Sequence, residues 1–122
     1  MRGAELRALA ARDLAAFATL VHPGFELPAH LAALASKLEA VESGRLRRLL
    51  VCMPPRHGKS LLASAIFPAW FVAKRPYRQV IFATYAADFA EDFGRKVRNH
   101  LAGDRCRSVF PAAQLSDDSA AA

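Results

Sequence analysis

Between residues 4 and 20, apolar positions recur at helical spacing. Leu6, Leu9, Ala10, Leu14, Phe17 and Leu20 fall on one face, and the spacing predicts an amphipathic helix. His22-Pro23-Gly24 ends it, because proline cannot continue the hydrogen-bond ladder and glycine tolerates turn geometry. A second helix is predicted over 29–41, with Leu31, Leu34, Leu38 and Val41 on one face and Ser43-Gly44 as its stop. The pattern then changes. Residues 49–53, Leu-Leu-Val-Cys-Met, are continuously apolar, which predicts a strand buried on both faces. A loop over 54–58 follows. Helical spacing returns from Lys59 in Leu62, Ile66, Ala69, Trp70 and Ala73, with a kink or short break expected at Pro68. Lys74-Arg75-Pro76 marks a turn, and residues 80–85, Val-Ile-Phe-Ala-Thr-Tyr, predict a second strand. A last helix is expected over 87–101, carrying Phe89, Phe93, Val97 and Leu101 at fourfold spacing. From Gly103 the chain turns polar, and no element is expected there.

A strand–helix–strand unit with apolar strands implies parallel pairing through a right-handed crossover. The fold class read from the pattern is therefore α/β. With only two strands the sheet is incomplete, and an apolar edge should stay exposed. Residues 1–44 read as an N-terminal helical segment and 45–122 as the partial α/β domain.

Composition narrows this picture. The chain has 122 residues, 53% of them apolar, which fits one small domain and excludes disorder. No apolar run approaches the ~18 residues of a membrane span, and the charged, periodic N-terminus is unlike a signal peptide. Cys52 and Cys106 are far apart and form no metal-ligand spacing. Cys52 lies inside the first apolar run, where a thiol acts as a small buried hydrophobe. These features point to a reducing cytoplasm. The net charge is +6 and the isoelectric point near 10.0, a balance that favours polyanionic partners, nucleic acid above all.

The chemistry concentrates at the end of the first apolar run. Gly58-Lys59-Ser60 stands where strand gives way to helix, the context of a phosphate-binding loop. There backbone N–H groups meet phosphate oxygens, lysine reaches the terminal phosphates and a hydroxyl ligates Mg²⁺. The helix N-terminus adds its partial positive charge. The position of the motif's usual first glycine is Met53, and Pro54 and Pro55 supply a rigid entrance in its place.

The stretch "LLVCMPPRHGKSLLAS", followed by "FPAWFVAKRPYRQVIFATYAADFAEDFGRKVRN", resembles the N-terminal ATPase region of the large terminase subunit of tailed bacteriophages. That family also lacks the first glycine. The resemblance spans about residues 28–115, and the block 54–60 is its most specific part. It implies the front of a P-loop NTPase, a parallel sheet flanked by helices, that binds ATP and Mg²⁺ and powers translocation of viral DNA into the capsid. Pro55, His57, Gly58, Lys59, Ser60 and Leu61 would line the nucleotide, with Lys59 on the β- and γ-phosphates and Ser60 on Mg²⁺. Arg56 would be the catalytic residue, sensing or stabilising the γ-phosphate, as an arginine can meet two of its oxygens at once; an ordinary solvated loop cation is the competing reading. His57 reads as a spacer. Residues 25–30, including His30, lie where the family often places adenine contacts, and Thr84 and Tyr85 would sit at the carboxyl edge of the sheet. Arg95, Lys96 and Arg98 are a DNA or subunit contact, or a solvated helix face. The implied partners are double-stranded DNA through the complete protein, a small terminase subunit and a portal protein, in the host bacterium's cytoplasm.

One part of the expected machinery is missing from the sequence. An ATPase of this class carries an apolar strand ending in Asp, and none of the eleven acidic residues follows such a run. Asp88 begins a helix, and Asp117-Asp118 stands in the polar tail. The resemblance therefore covers an ATP-binding front portion truncated before the acidic strand and inactive by itself. Two other readings stay open: a different P-loop enzyme of helicase or kinase type, and a non-enzymatic remnant or interaction module.

Overall fold

The computed structural model describes residues 3–53 and 59–113. Its elements are α1 (Gly3–Ala10), α2 (Leu14–Val21), α3 (Ala29–Glu42), α4 (Lys59–Leu61), a π-helical stretch (Leu62–Ile66), α5 (Phe67–Lys74), α6 (Ala87–Ala102) and α7 (Asp104–Val109). Among the described residues there is no strand. This overturns the α/β expectation, and with it the parallel sheet of a P-loop NTPase. Residues 49–53 and 80–85 are irregular connections. Two short parallel segments offer few ladder bonds and need further strands to be stable, whereas the helices close a core without them. Leu49, Val51 and Met53 lean on that core, while Leu50 is 88% exposed and Cys52 is exposed too. The apolar run is half-buried, and the thiol expected inside it faces solvent.

The helix predicted over 4–20 divides in two. Leu9 O accepts the N–H groups of both Arg12 and Asp13, at 3.1 and 2.8 Å, which closes α1. Asp13 then caps α2, its Oδ1 accepting from the N–H of Ala15 at 2.9 Å and of Ala16 at 3.4 Å. The remaining first-turn donor, Leu14 N–H, reaches Glu39 Oε1 of α3 at 2.8 Å. Two carboxylates thus satisfy the donors that a helix start leaves open. Burial raises the Glu39 pKa above the ordinary carboxylate value; the Leu14 hydrogen bond opposes this and the neighbouring Asp13 charge adds to it. The apolar spacing carries through the break because Ala10, Leu14 and Phe17 still enter one core.

The other helix ends fall where the sequence put them. His22 to Phe25 forms a turn closed by Phe25 N–H to His22 O at 3.0 Å, with Gly24 at φ 83°, the left-handed region that favours glycine. Gly44, also at φ 83°, follows the C-cap of α3, and its N–H returns to Val41 O at 3.2 Å.

From Lys59 to Lys74 the backbone coils without a stop, since Leu61, Ile66 and Phe67 all keep right-handed helical angles. The expected disturbance at Pro68 takes the form of a π turn just before it, in which Phe67 N–H donates to Leu62 O, five residues back. Proline lacks an N–H and its ring crowds the carbonyl four residues earlier, so a locally wider coil accommodates it without breaking the helix. Leu62, Ile66, Ala69, Trp70 and Ala73 are all buried. In α6 only Phe93 of the four predicted positions is buried; Val97 and Leu101 pack partly on the core and Phe89 stays 48% exposed. The helix α7 was not expected. It arises inside the polar stretch around Cys106, which is fully buried.

One ion cluster ties α3 to the end of α5. Glu42, 8% exposed, accepts a hydrogen bond from Lys74 Nζ at 2.6 Å, and Arg78 Nη1 lies 2.9 Å from its second oxygen. Lys74 also stands over the Trp70 ring and Arg78 over that of Phe71, at 4.7 and 4.4 Å from the centroids. Burial alone would raise the Glu42 pKa, but the contacts with Lys74 and Arg78 outweigh it and hold the carboxyl below its ordinary value of 4.5. A depressed carboxylate stabilises the fold above its unfolded pKa, and that contribution is lost as pH falls through the folded value. Glu39, shifted the opposite way, adds nothing to this acid loss. Glu42→Gln should therefore cost about 2–3 kcal/mol at neutral pH, because two part-buried cations lose their partner. Urea unfolding at a series of pH values checks this: the gap between wild type and variant should close as pH falls below the ordinary carboxylate range.

Candidate nucleotide site

The segment that leads into the site is anchored from one side. Leu49, Val51 and Met53 pack against the core in alternation with the exposed Leu50 and Cys52. Pro55, Arg56, His57 and Gly58 lie outside the described residues. The chain resumes at Lys59, the first residue of α4. Ser60 is exposed, whereas Leu61 packs on the core and Leu62 is fully buried. Ser60 thus sits, exposed, on a first turn that Leu61 and Leu62 fix to the interior. A helix start of this kind leaves backbone N–H groups open toward an anion.

The residues proposed to flank this site are dispersed. Phe25 and Leu27 pack on the core, and Phe25 meets the His22 ring edge-on at 5.8 Å. His30 is exposed on the first turn of α3. Thr84 and Tyr85 do not lie on the carboxyl edge of a sheet, since the described residues form no strand; both are exposed, Tyr85 at 91%, its ring tilted against that of Phe89 at 6.0 Å. On α6, Arg95 and Lys96 both pair with Asp92, at 3.4 and 3.3 Å, and Lys96 also covers the Phe93 ring. These pairs are half-exposed and contribute little to stability. Among the described residues no group of three or more His, Cys, Asp and Glu side chains could hold a metal ion. No helix there is long and apolar enough to cross a membrane.

A feature that sequence reading missed is a crevice of about 300 Å³ where α2, α6 and α7 meet, lined by Val21, Asn99, His100, Asp104, Arg105 and Cys106. Arg105 Nη1 donates to Leu20 O at 3.3 Å across its mouth. Burial lowers the His100 pKa, and the nearby His22 lowers it further. No periodicity signals this crevice, because it depends on α7. It includes none of the residues from the Gly-Lys-Ser stretch.

The chain was compared with protein-family models, curated proteins and solved structures, and none matches it.

The two thiols offer a direct check on this geometry. Cys52 is exposed beside the site, while burial pushes the Cys106 thiol up to about 11. The thiolate is the reactive form, so a disulfide reagent at neutral pH should titrate one thiol rapidly in the native chain and the second only after denaturation. Mass spectrometry should place the fast label on Cys52; rapid labelling of both would contradict the burial of Cys106 on α7.

Proposed function

We propose that this chain binds ATP–Mg²⁺ through residues 54–61 and is the nucleotide-binding front portion of a phage or prophage terminase large subunit. The observation that supports the reading best is the placement of Lys59 and Ser60 at the head of a continuous helix seated on the core through Leu61 and Leu62. That arrangement suits an anion at the helix start without requiring a sheet. Lys59 carries the charge for the β- and γ-phosphates, Ser60 offers the hydroxyl for Mg²⁺, and Arg56 faces the γ-phosphate. Pro55, His57 and Gly58 would line the nucleotide as well, while Leu61, on α4, seats the helix start on the core. Mg²⁺, when bound with the nucleotide, neutralises charge on the phosphate oxygens.

With no acid-terminated apolar strand in the sequence, the chain binds ATP without turning it over. Its role in packaging is exercised within a complete protein that meets double-stranded DNA, a small terminase subunit and a portal protein in the cytoplasm of the bacterial host. The basic net charge of +6 is in keeping with a DNA partner.

Calorimetric titration of the chain with ATP and Mg²⁺ tests this. Weak but saturable binding is expected, with hydrolysis far below the ~1 s⁻¹ of competent enzymes. Lys59→Ala removes a charge-assisted contact and should weaken ATP by about 1.5–3 kcal/mol, roughly ten- to a hundredfold in Kd, with unchanged far-ultraviolet circular dichroism. Unaltered affinity would show that the loop is not a phosphate site.

A companion measurement separates the role of Arg56 from general electrostatics. Arg56→Ala should weaken ATP more than ADP, because only ATP carries the γ-phosphate. An equal loss for both nucleotides would assign Arg56 to the solvated loop.

A further inference from the structure

Residues 79–85, Gln-Val-Ile-Phe-Ala-Thr-Tyr, join the turn after α5 to the start of α6, and none of them belongs to a helix. Among the described residues, their backbone groups make no hydrogen bond to another backbone group. Their exposure alternates as in an extended chain. Val80 and Phe82 are 46% and 37% exposed, with the Phe82 ring 5.2 Å from that of Phe93 on α6, while Ile81 and Tyr85 are 93% and 91% exposed. Among the described residues the segment therefore has one face resting on α6, one apolar face largely in solvent and a row of backbone donors and acceptors without a backbone partner. β-Branched and aromatic residues without charge are those that favour strand pairing. An edge of this kind is a template for another extended chain.

The flanking charges say which chain. Arg75 precedes the segment, exposed and without an ion pair among the described residues, and Arg78, the partner of Glu42, stands at its entry. Asp88 and Glu91 follow it on the first turns of α6, also exposed and without an ion pair among the described residues. One end is basic and the other acidic. Two copies laid antiparallel bring each basic end beside the acidic end of the other, whereas parallel copies would oppose like charges.

We propose that this chain self-associates through residues 79–85, two copies pairing antiparallel about a two-fold axis at Ala83. In that register Ile81 of each copy faces Tyr85 of the other on the outer face, an aromatic–β-branched pair of the kind that stabilises antiparallel strands. Phe82 faces Thr84, Ala83 faces its own copy, and Arg75 lies toward Glu91. The contact is isologous, so it closes at two copies.

Sedimentation equilibrium of the full chain in reducing buffer tests the proposal. The expected result is a mass twice that of the monomer, falling toward the monomer on dilution. Ile81→Lys changes a side chain that meets solvent, so it should leave the circular dichroism intact and yield monomer at every concentration tested. Register is read from Ala83→Cys in a Cys52→Ser background, which should form a disulfide-linked dimer under mild oxidation, whereas Ala87→Cys in the same background should not. A wild-type chain that stays monomeric, a dimer that survives Ile81→Lys, open-ended aggregates, or equal cross-linking at both positions would each overturn it.

Discussion

The fold turns on the indole of Trp70. Its ring is 1% exposed, and its N–H donates to Ala10 O at 3.0 Å, across sixty positions of sequence. Ala10 is the last residue of α1, so the acceptor is one of the carbonyls that a helix end leaves open. One side chain thus closes the first helix, fills the centre of the core and fixes α5 against the N-terminal hairpin. An aromatic of this size buries about 150–250 Å², and a buried indole N–H without an acceptor is costly. Trp70 can reach Ala10 only if α5 continues the helix from Lys59, and that continuity rests on the π turn that absorbs Pro68. The same turn sets the head of the helix, where Lys59 and Ser60 stand.

Helical periodicity was the dependable signal in this chain, because burial on one face is a property of local spacing. It located α3, the long coil from Lys59 and α6, and all five inward positions from Leu62 to Ala73 are buried. It ran through the α1–α2 break unaltered, since a short reversal capped by Asp13 returns the next apolar residues to the same core. The two apolar runs misled for a different reason. A continuous run of four to six apolar residues says that burial is favourable, not what provides it, and a strand exists only if a neighbour pairs with it. Leu49, Val51 and Met53 found a helical surface instead. Leu50 and Ile81 stay almost fully exposed, and Tyr85 meets only the ring of Phe89. The helix α7 was hidden because its only deeply buried residue is Cys106, too sparse a pattern to show a period.

The residue types of the candidate site can be read from the sequence, and its surroundings cannot. Gly58-Lys59-Ser60 is recognisable because few other arrangements place a cation and a hydroxyl at a helix start after a glycine. Which helices surround it depends on long-range packing that no short motif encodes. The flanking positions inferred by resemblance depended on a sheet edge, and without the sheet Thr84 and Tyr85 lose the geometric reason for approaching a nucleotide.

This separation has a physical consequence for how the helix start and residues 79–85 relate. A phosphate at the head of a helix is held by local dipoles, a lysine and a hydroxyl, all within one turn, and those interactions fall off within the first turn. Pairing along an open backbone depends instead on matching a second extended chain over several residues. The two proposed contacts would therefore draw on different parts of the chain: Leu61 and Leu62 seat the helix start on the core, and the Phe82–Phe93 contact holds one face of residues 79–85. The Trp70 core lies beneath both, since the coil it anchors begins at Lys59 and ends at Lys74, immediately before Arg75 opens the approach to the exposed segment. Loosening that core would free the helix head and the segment together. Altering either surface residue set leaves the other with its support intact.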